Sequence, residues 1–328
     1  MNIVKGQEVH LNQMCDLWNE VVSEENFYKT MTYSEYKDRM YAFSEFSYEG
    51  VFLAFDDKIL IGFIIGYVRE SNLKTGYLNT IIVKREYQNK KVGKELLNTL
   101  ENYFISRDRK SSVAVHFLPA CYSWYIPRYG KDDHPCAPAI RINSKEYFFL
   151  MREGYSISAI EDAFHLPLAN YELPNSVIKI LEESKKEGIE IEFYDPNKHY
   201  GLEEFYKDIN IGAFEHEIKT NLELEKPYPF LVISNKGSIE GWTGALWNET
   251  SGRGHFDGIA ISPKLRGKGL GKALFSMLTY KSKLNGAKFM TFRTGKDNSA
   301  RYIYLGAGFK VIQTFAMMSK ELVKDKKE

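Results

Sequence analysis

Only three cysteines occur in 328 residues, Cys15, Cys121 and Cys136, and no two form a CxxC pair. That scarcity argues against a zinc ribbon or a disulfide framework and predicts reduced thiols in a cytosolic protein. Long hydrophobic runs are missing as well. The longest, Ile59 to Val68, is interrupted by Gly62 and Gly66 and is too short to span a bilayer. The opening MNIVKGQEVH lacks the shape of a signal peptide. Charge of one sign is absent: 44 Lys and Arg face 43 Asp and Glu, a net +1. No overall field favours nucleic acid or a membrane surface, so neither is an expected partner. What is present is apolar residues at 44%, with 14% aromatic, which excludes a disordered chain. The length exceeds what one core usually holds and predicts two domains.

The chain reads as one unit written twice. The first copy runs from a helix around Leu11 to Val22 through the strands VFLAFDD, KILIGFIIGYV and YLNTIIV. A basic loop and a helix from about Val92 to Phe104 follow. The second starts near IEIEFYD and has a helix around Leu202 to Ile211. It continues with PFLVISN, SIEGWTGALW and HFDGIAIS, then a glycine loop and a helix from about Gly271 to Lys283. Gly254, Arg266 and Gly271 each lie 178 residues after Gly76, Gln88 and Gly93. The division is expected at 1–168 and 169–328, with Ser176 to Lys186 a polar helix near the join.

The glycine loop is Arg266-Gly267-Lys268-Gly269-Leu270-Gly271-Lys272. It follows an apolar strand and opens an amphipathic helix with apolar residues at Leu270, Leu274, Met277, Leu278 and Leu284. A helix start offers unpaired N–H groups, and glycines let phosphate oxygens come close to them. A Walker A loop is excluded because Ala273, not Ser or Thr, follows Gly271-Lys272. A dinucleotide fingerprint is excluded because the spacing is GxGxG rather than GxGxxG. A solvated glycine turn remains the plain alternative.

FDGIAISPKLRGKGLGKALF resembles the coenzyme A loop of the GNAT acyltransferase superfamily, and DNSARYIYLGAGFKVI resembles that family's closing motif. The resemblance covers most of the second half well and the first half weakly. It implies an α/β fold of two tandem GNAT-like domains. Each would have a mostly antiparallel sheet with splayed middle strands, flanked by helices. It implies acetyl-CoA as acyl donor, no metal, and transfer to a primary amine by direct attack. A small-molecule amine is the expected acceptor, and tandem enzymes of the mycothiol-synthase type share the double layout. Backbone groups of Ile259, Ala260 and Ile261 would pair with the pantetheine arm, and Arg266 to Lys272 would hold the pyrophosphate. The family's Asn position is Asp297 here, with Asn298 next to it as the coenzyme contact.

Two catalytic residues follow from the same resemblance. Tyr304, four residues before Gly308-Phe309, would protonate the leaving thiolate; an ordinary phenol, pKa ~10, suits that task. A core aromatic is the alternative, with Tyr302 beside it as a control. Asp257 would take the amine's proton, or else cap the turn after Gly252-Arg253-Gly254, and His255 is a weaker candidate. A coenzyme-binding regulator without turnover, or a donor other than acetyl-CoA, remains open. Oligomeric state is not legible.

In the first copy Lys91 replaces a loop glycine, Asn79 replaces Asp257 and Leu150 replaces the tyrosine. The first copy is therefore expected to shape or support rather than catalyse. Its insertion PACYSWYIPRYGKDDHPCAPAI, with four prolines, is expected to be ordered. Trp124, Tyr125, Tyr129, Asp132, Asp133 and His134 would either face substrate or cement the domains. Metal binding by Asp132, Asp133, His134 and Cys136 is not expected, since adjacent residues seldom converge on one ion.

Overall fold

Residues of the first half alternate between two faces, and a computed structural model shows why. The structure describes residues 1–116 and 121–322. Unit 1, Met1–Asp162 with the stretch from Gln313, contains β1 (Asn2–Lys5), α1 (Leu11–Glu25), α2 (Tyr33–Tyr41), β2 (Val51–Asp56), β3 (Ile59–Arg69) and β4 (Asn72–Val83). Then come α3 (Val92–Ser106), β5 (Ser111–Ala114), β6 (Trp124–Tyr125), β7 (Asp133–His134), β8 (Ile140–Arg141), α4 (Lys145–Arg152) and the first part of β9 (Ser156–Pro167). Strands β1 to β4 are antiparallel neighbours, and β4 runs parallel to β5. Leu53, Phe63 and Ile65 join the cluster containing α1's Leu11, Met14 and Trp18. Ala54, Ile64 and Leu78 join that of α3's Leu96, Leu100 and Phe104. The period of two thus feeds two cores on opposite faces.

Helix α2 escapes a reading based on apolar period, because Tyr36 and Met40 are its only buried residues. Its signal is the capping box instead: Thr32 accepts from the N–H of Glu35, whose carboxylate accepts from the N–H of Thr32.

Unit 2, Ala163–Ile312, comprises the rest of β9, α5 (Asn175–Lys186), β10 (Ile189–Phe193), α6 (Leu202–Ile209), α7 (Gly212–Leu222), β11 (Leu231–Asn235) and β12 (Ser238–Gly244). They are followed by β13 (Arg253–Gly254), β14 (Gly258–Ile261), α8 (Leu270–Leu284), β15 (Phe289–Gly295), α9 (Ala300–Gly306) and the start of β16 (Lys310–Glu321). Strands β10, β11, β12 and β14 form an antiparallel sheet. The helix expected from Leu202 to Ile211 stops at Ile209, where Asn210 turns left-handed (φ 49°), and a further helix follows.

The unit boundaries differ from a single cut after residue 168. Met318 to Glu321 of β16 pair antiparallel with Ala114 to Ser111 of β5, so backbone groups along β5 find partners at the far end of the sequence. Ala316, Met318 and Leu322 enter the α3 core accordingly.

Cys121 and Cys136 are bridged, with Cα atoms 5.2 Å apart, which corrects the expectation of three free thiols. The β6–β7 pairing of Trp124 with His134 folds the insertion back on itself and brings the two cysteines together. The pairing removes the cysteine argument for a reducing compartment; only Cys15 is free, and buried. Of the insertion, Pro119 and Ala120 lie outside the described residues. Part of the rest packs into unit 1: Trp124 stacks on Phe27 and Tyr122 on Trp18, while Lys29 pairs with Asp133 at 2.6 Å. Trp124 is fully buried. No described helix is long and apolar enough to cross a membrane.

His116 sits in this same interior, and burial lowers its pKa to about 4. Its neutral form is favoured in the folded protein, whereas an unfolded histidine titrates near 6.5. The associated stability is present above pH ~6.5 and is lost as pH falls toward about 4, a penalty of about 3 kcal/mol at most. Thermal melts from pH 7 to pH 4 should show this loss, and H116N should flatten it.

Candidate acyl-transfer site

Strands β13 and β14 belong to one run of chain that changes partners. Arg253 and Gly254 pair parallel with Phe289 and Met290 of β15; Gly258 to Ile261 instead pair with Gly244 to Gly241 of β12. His255, Phe256 and Asp257 lie at the change. Beyond them β14 and β15 are in different sheets, so among the described residues one side of β14 carries no strand. This is the splay expected from the family resemblance.

The loop that follows depends on its glycines. Gly267 and Gly269 have φ of 83° and 76°, the left-handed region that glycine enters without strain. Gly269 is the N-cap of α8. A Cβ there would meet Ile180 Cδ1 at 2.9 Å, and one on Gly271 would meet Ile303 Cδ1 at the same distance. Arg266 donates Nε–H to the Ile261 carbonyl, which ties the loop to the end of β14 (3.3 Å).

A cleft of about 540 Å³ joins strand and loop. Its walls include Ile259, Ala260, Ile261, Arg266, Gly267, Gly269, Leu270, Gly271, Lys272 and Asn298. Lys268 alone of the expected coenzyme contacts is not on the wall; its ammonium pairs with Glu187 at 2.9 Å. Asn298 turns its side-chain oxygen to the N–H of Ala300, opening α9 (2.9 Å). Ile209, Ile211 and Tyr302 also line it and were not anticipated. The helix ending at Ile209 and the α9 spacing that exposes Tyr302 were the available signals.

Tyr304 lies on the inner side of α9. Phe164, Phe256, Phe275 and Phe292 surround its ring, with Phe292 nearest at 4.5 Å between centroids. Burial pushes its pKa up to about 12. It is not among the residues lining the cleft, whereas Tyr302 is and stands 72% exposed. Asp257 does not reach back to the Gly252–Gly254 turn. Its Oδ2 accepts from the Ala245 N–H at 2.8 Å, and its Oδ1 meets His255 Nε2. His255 is only 21% exposed and stacks on Trp247 (4.2 Å).

Unit 1 repeats this plan at the same offset. Helix α3 and its preceding 3₁₀ turn, Arg85–Tyr87, match α8 and Pro263–Leu265 residue for residue, 178 apart. Asn89 and Lys91 even keep the left-handed backbone of Gly267 and Gly269, with φ of 60° and 66°. A cleft of about 740 Å³ lies beside that loop. The reacting end differs. Asn79 is buried, and its side-chain oxygen accepts from Tyr122 of the insertion (3.3 Å) and from Thr80. A phenol therefore donates to the residue at Asp257's offset, whereas Asp257 itself meets the Ala245 N–H and His255. Among the described residues no group of three His, Cys, Asp or Glu could hold a metal.

Parted strands above a glycine loop at a helix start are the architecture of an acyltransferase. Two family models match: the acetyltransferase (GNAT) family over residues 18–124 and the acetyltransferase (GNAT) domain over residues 180–317. The chain belongs to the GNAT superfamily, as a protein with two such domains in tandem.

Solved structures agree in fold. One is a GCN5-related glucosamine N-acetyltransferase region of a fungal multi-domain GH3 β-N-acetylglucosaminidase, at 14% identity and TM-score 0.65. That match covers 97% of this chain but 38% of the fungal one. A GCN5-related N-acetyltransferase from Sphaerobacter thermophilus matches at 14% identity and TM-score 0.62, over 98% of this chain and 96% of its own. A tandem GNAT protein from the clavulanic acid biosynthesis pathway matches at 12% and 0.58, over 99% of both. No curated protein matches the chain in sequence.

Proposed function

We propose that unit 2 transfers the acetyl group of acetyl-CoA to a primary amine, a small molecule rather than a protein tail. The single observation that carries the reading is the cleft in which Ile259 to Ile261, the glycine loop and Asn298 meet. The free side of β14 suits the amide groups of pantetheine, and the loop N–H groups with Arg266 and Lys272 suit the pyrophosphate. The amine nitrogen attacks the thioester carbonyl carbon. A C–N bond forms, the C–S bond breaks, the amine's proton passes to Asp257 and the thiolate takes one from Tyr304; solvent then takes the proton from Asp257 and returns one to the Tyr304 phenolate. No covalent acyl-enzyme is required, and Cys15, Cys121 and Cys136 all lie in unit 1.

The asymmetry between the units supports placing the chemistry in unit 2. Unit 1 keeps a cleft and a similar loop backbone, but Tyr122 covers Asn79. Its role in this reading is binding or support. A panel of primary amines incubated with acetyl-CoA, read by release of free thiol, tests the proposal. At least one amine should give turnover above hydrolysis. Acetyl-CoA binding without turnover on any amine would favour a coenzyme-binding regulator, and calorimetry across acyl-CoA chain lengths checks the donor.

A further inference from the structure

The turn of chain between β13 and β14 holds its carboxylate from two sides. Asp257 Oδ2 accepts from the Ala245 N–H at 2.8 Å, and the Asp257 N–H donates to the Gly244 carbonyl at 2.9 Å. Its other oxygen faces Nε2 of His255. The imidazole is itself fixed. Its ring lies 4.2 Å from that of Trp247 at an angle of 24°, and the His255 N–H donates to the Trp247 carbonyl at 2.9 Å. Trp247 in turn stacks on Tyr228.

The partners also place a proton. A carboxylate facing Nε2 calls for an N–H on that nitrogen. Nδ1 is buried without a hydrogen-bond partner. The nearest carboxylate oxygen, Glu249 Oε1, is 4.0 Å away, and Glu249 is committed to Arg253 through the guanidinium Nε (2.8 Å) and NH2. An imidazole with Nε2 on a carboxylate and Nδ1 enclosed is poorly placed to collect a proton from an incoming amine. It is well placed to hold the group that does.

We propose that His255 is the positioning residue for Asp257, its Nε2–H and the Trp247 stack together fixing the direction in which the carboxylate presents its remaining lone pairs. The inference rests on the reading of Asp257 as proton acceptor. In the transfer step the amine's proton goes to Asp257 and His255 keeps its own, so the imidazole gains and loses nothing. Holding a base within a narrow range of angles is worth rate because misaligned proton transfer is slow.

The test uses the full chain and the amine that gives most turnover in the panel. H255A should lower kcat about tenfold or more and leave KM for acetyl-CoA within about twofold. H255Q, whose amide N–H can reach Asp257, should recover most of the loss. Added imidazole should not rescue H255A. An unchanged kcat in H255A overturns the proposal, and so does rescue by imidazole but not by glutamine, which would make His255 the base. Nitrogen-15 NMR of the wild-type imidazole needs no acceptor. It should report the proton on Nε2, and a proton on Nδ1 instead would overturn the pairing. If no amine turns over, the acetyl-transfer reading fails, while the NMR result still decides the His255–Asp257 arrangement.

Discussion

Replacing Gly269 with valine should weaken acetyl-CoA binding about a hundredfold, while the same replacement at Lys91 should leave it nearly unchanged. Gly269 has φ of 76°, where a β-branched residue is strained, and its Cβ would meet Ile180 at 2.9 Å. The Ile180 methyl can swing aside, but the left-handed backbone is relieved only by moving the loop, and its N–H groups then no longer converge on a phosphate. Losing one or two such charge-assisted bonds costs about 3 kcal/mol, which is about a hundredfold in affinity. Strain alone would lower stability, so the melting temperature of G269V must be measured beside its calorimetric Kd. Lys91 sits at the equivalent cap with φ of 66°, and a valine there strains unit 1 instead. Undiminished binding by G269V, with the fold intact, would sink the loop assignment. A large loss in K91V would move the main coenzyme site to unit 1.

The loop was legible because it is local. Strand, glycines and amphipathic helix follow one another in sequence, and their conformation depends on neighbours a few residues away. The 178-residue offset was legible for the same reason, and it holds down to the pairing of Gly76 with Ser112 and of Gly254 with Met290. Partnerships across long stretches of chain were not legible. Nothing in the apolar period of Lys310 to Glu321 says that its last residues pair with Ser111 to Ala114. Nothing in the spacing of Cys121 and Cys136 announces the β6–β7 fold that joins them. The insertion's aromatics read equally well as substrate contacts or as packing. Phe27, Trp18 and His134, which decide for packing in the case of Trp124 and Tyr122, are scattered through the sequence. The surroundings of His255 were not legible either, because Trp247 and the Asp257 carboxylate meet it only once the strand changes sheets.

Tyr304→Phe is expected to lower kcat about a hundredfold and to change KM for acetyl-CoA by less than about twofold. Tyr304 does not behave as an ordinary phenol. An ordinary phenol nearly matches a thiol in basicity, but burial among four phenylalanines raises Tyr304 to about 12. The sign is that of a group whose charged form is disfavoured by desolvation: the proton stays on through neutral and alkaline pH. Tyr304 is thus always in the donor form, yet it gives up the proton less readily than a solvated phenol. These effects oppose each other, and the second places the expected loss at the low end of general-acid contributions. Phenylalanine keeps the ring contacts, so the melting temperature should hold. Tyr302→Phe, on the cleft wall two residues away, removes a hydroxyl without touching that cage and should leave kcat within about twofold. If Y304F keeps full kcat, Tyr304 is a core aromatic and the thiolate takes its proton elsewhere. If Y302F shows the loss instead, the donor is the tyrosine that faces the cleft.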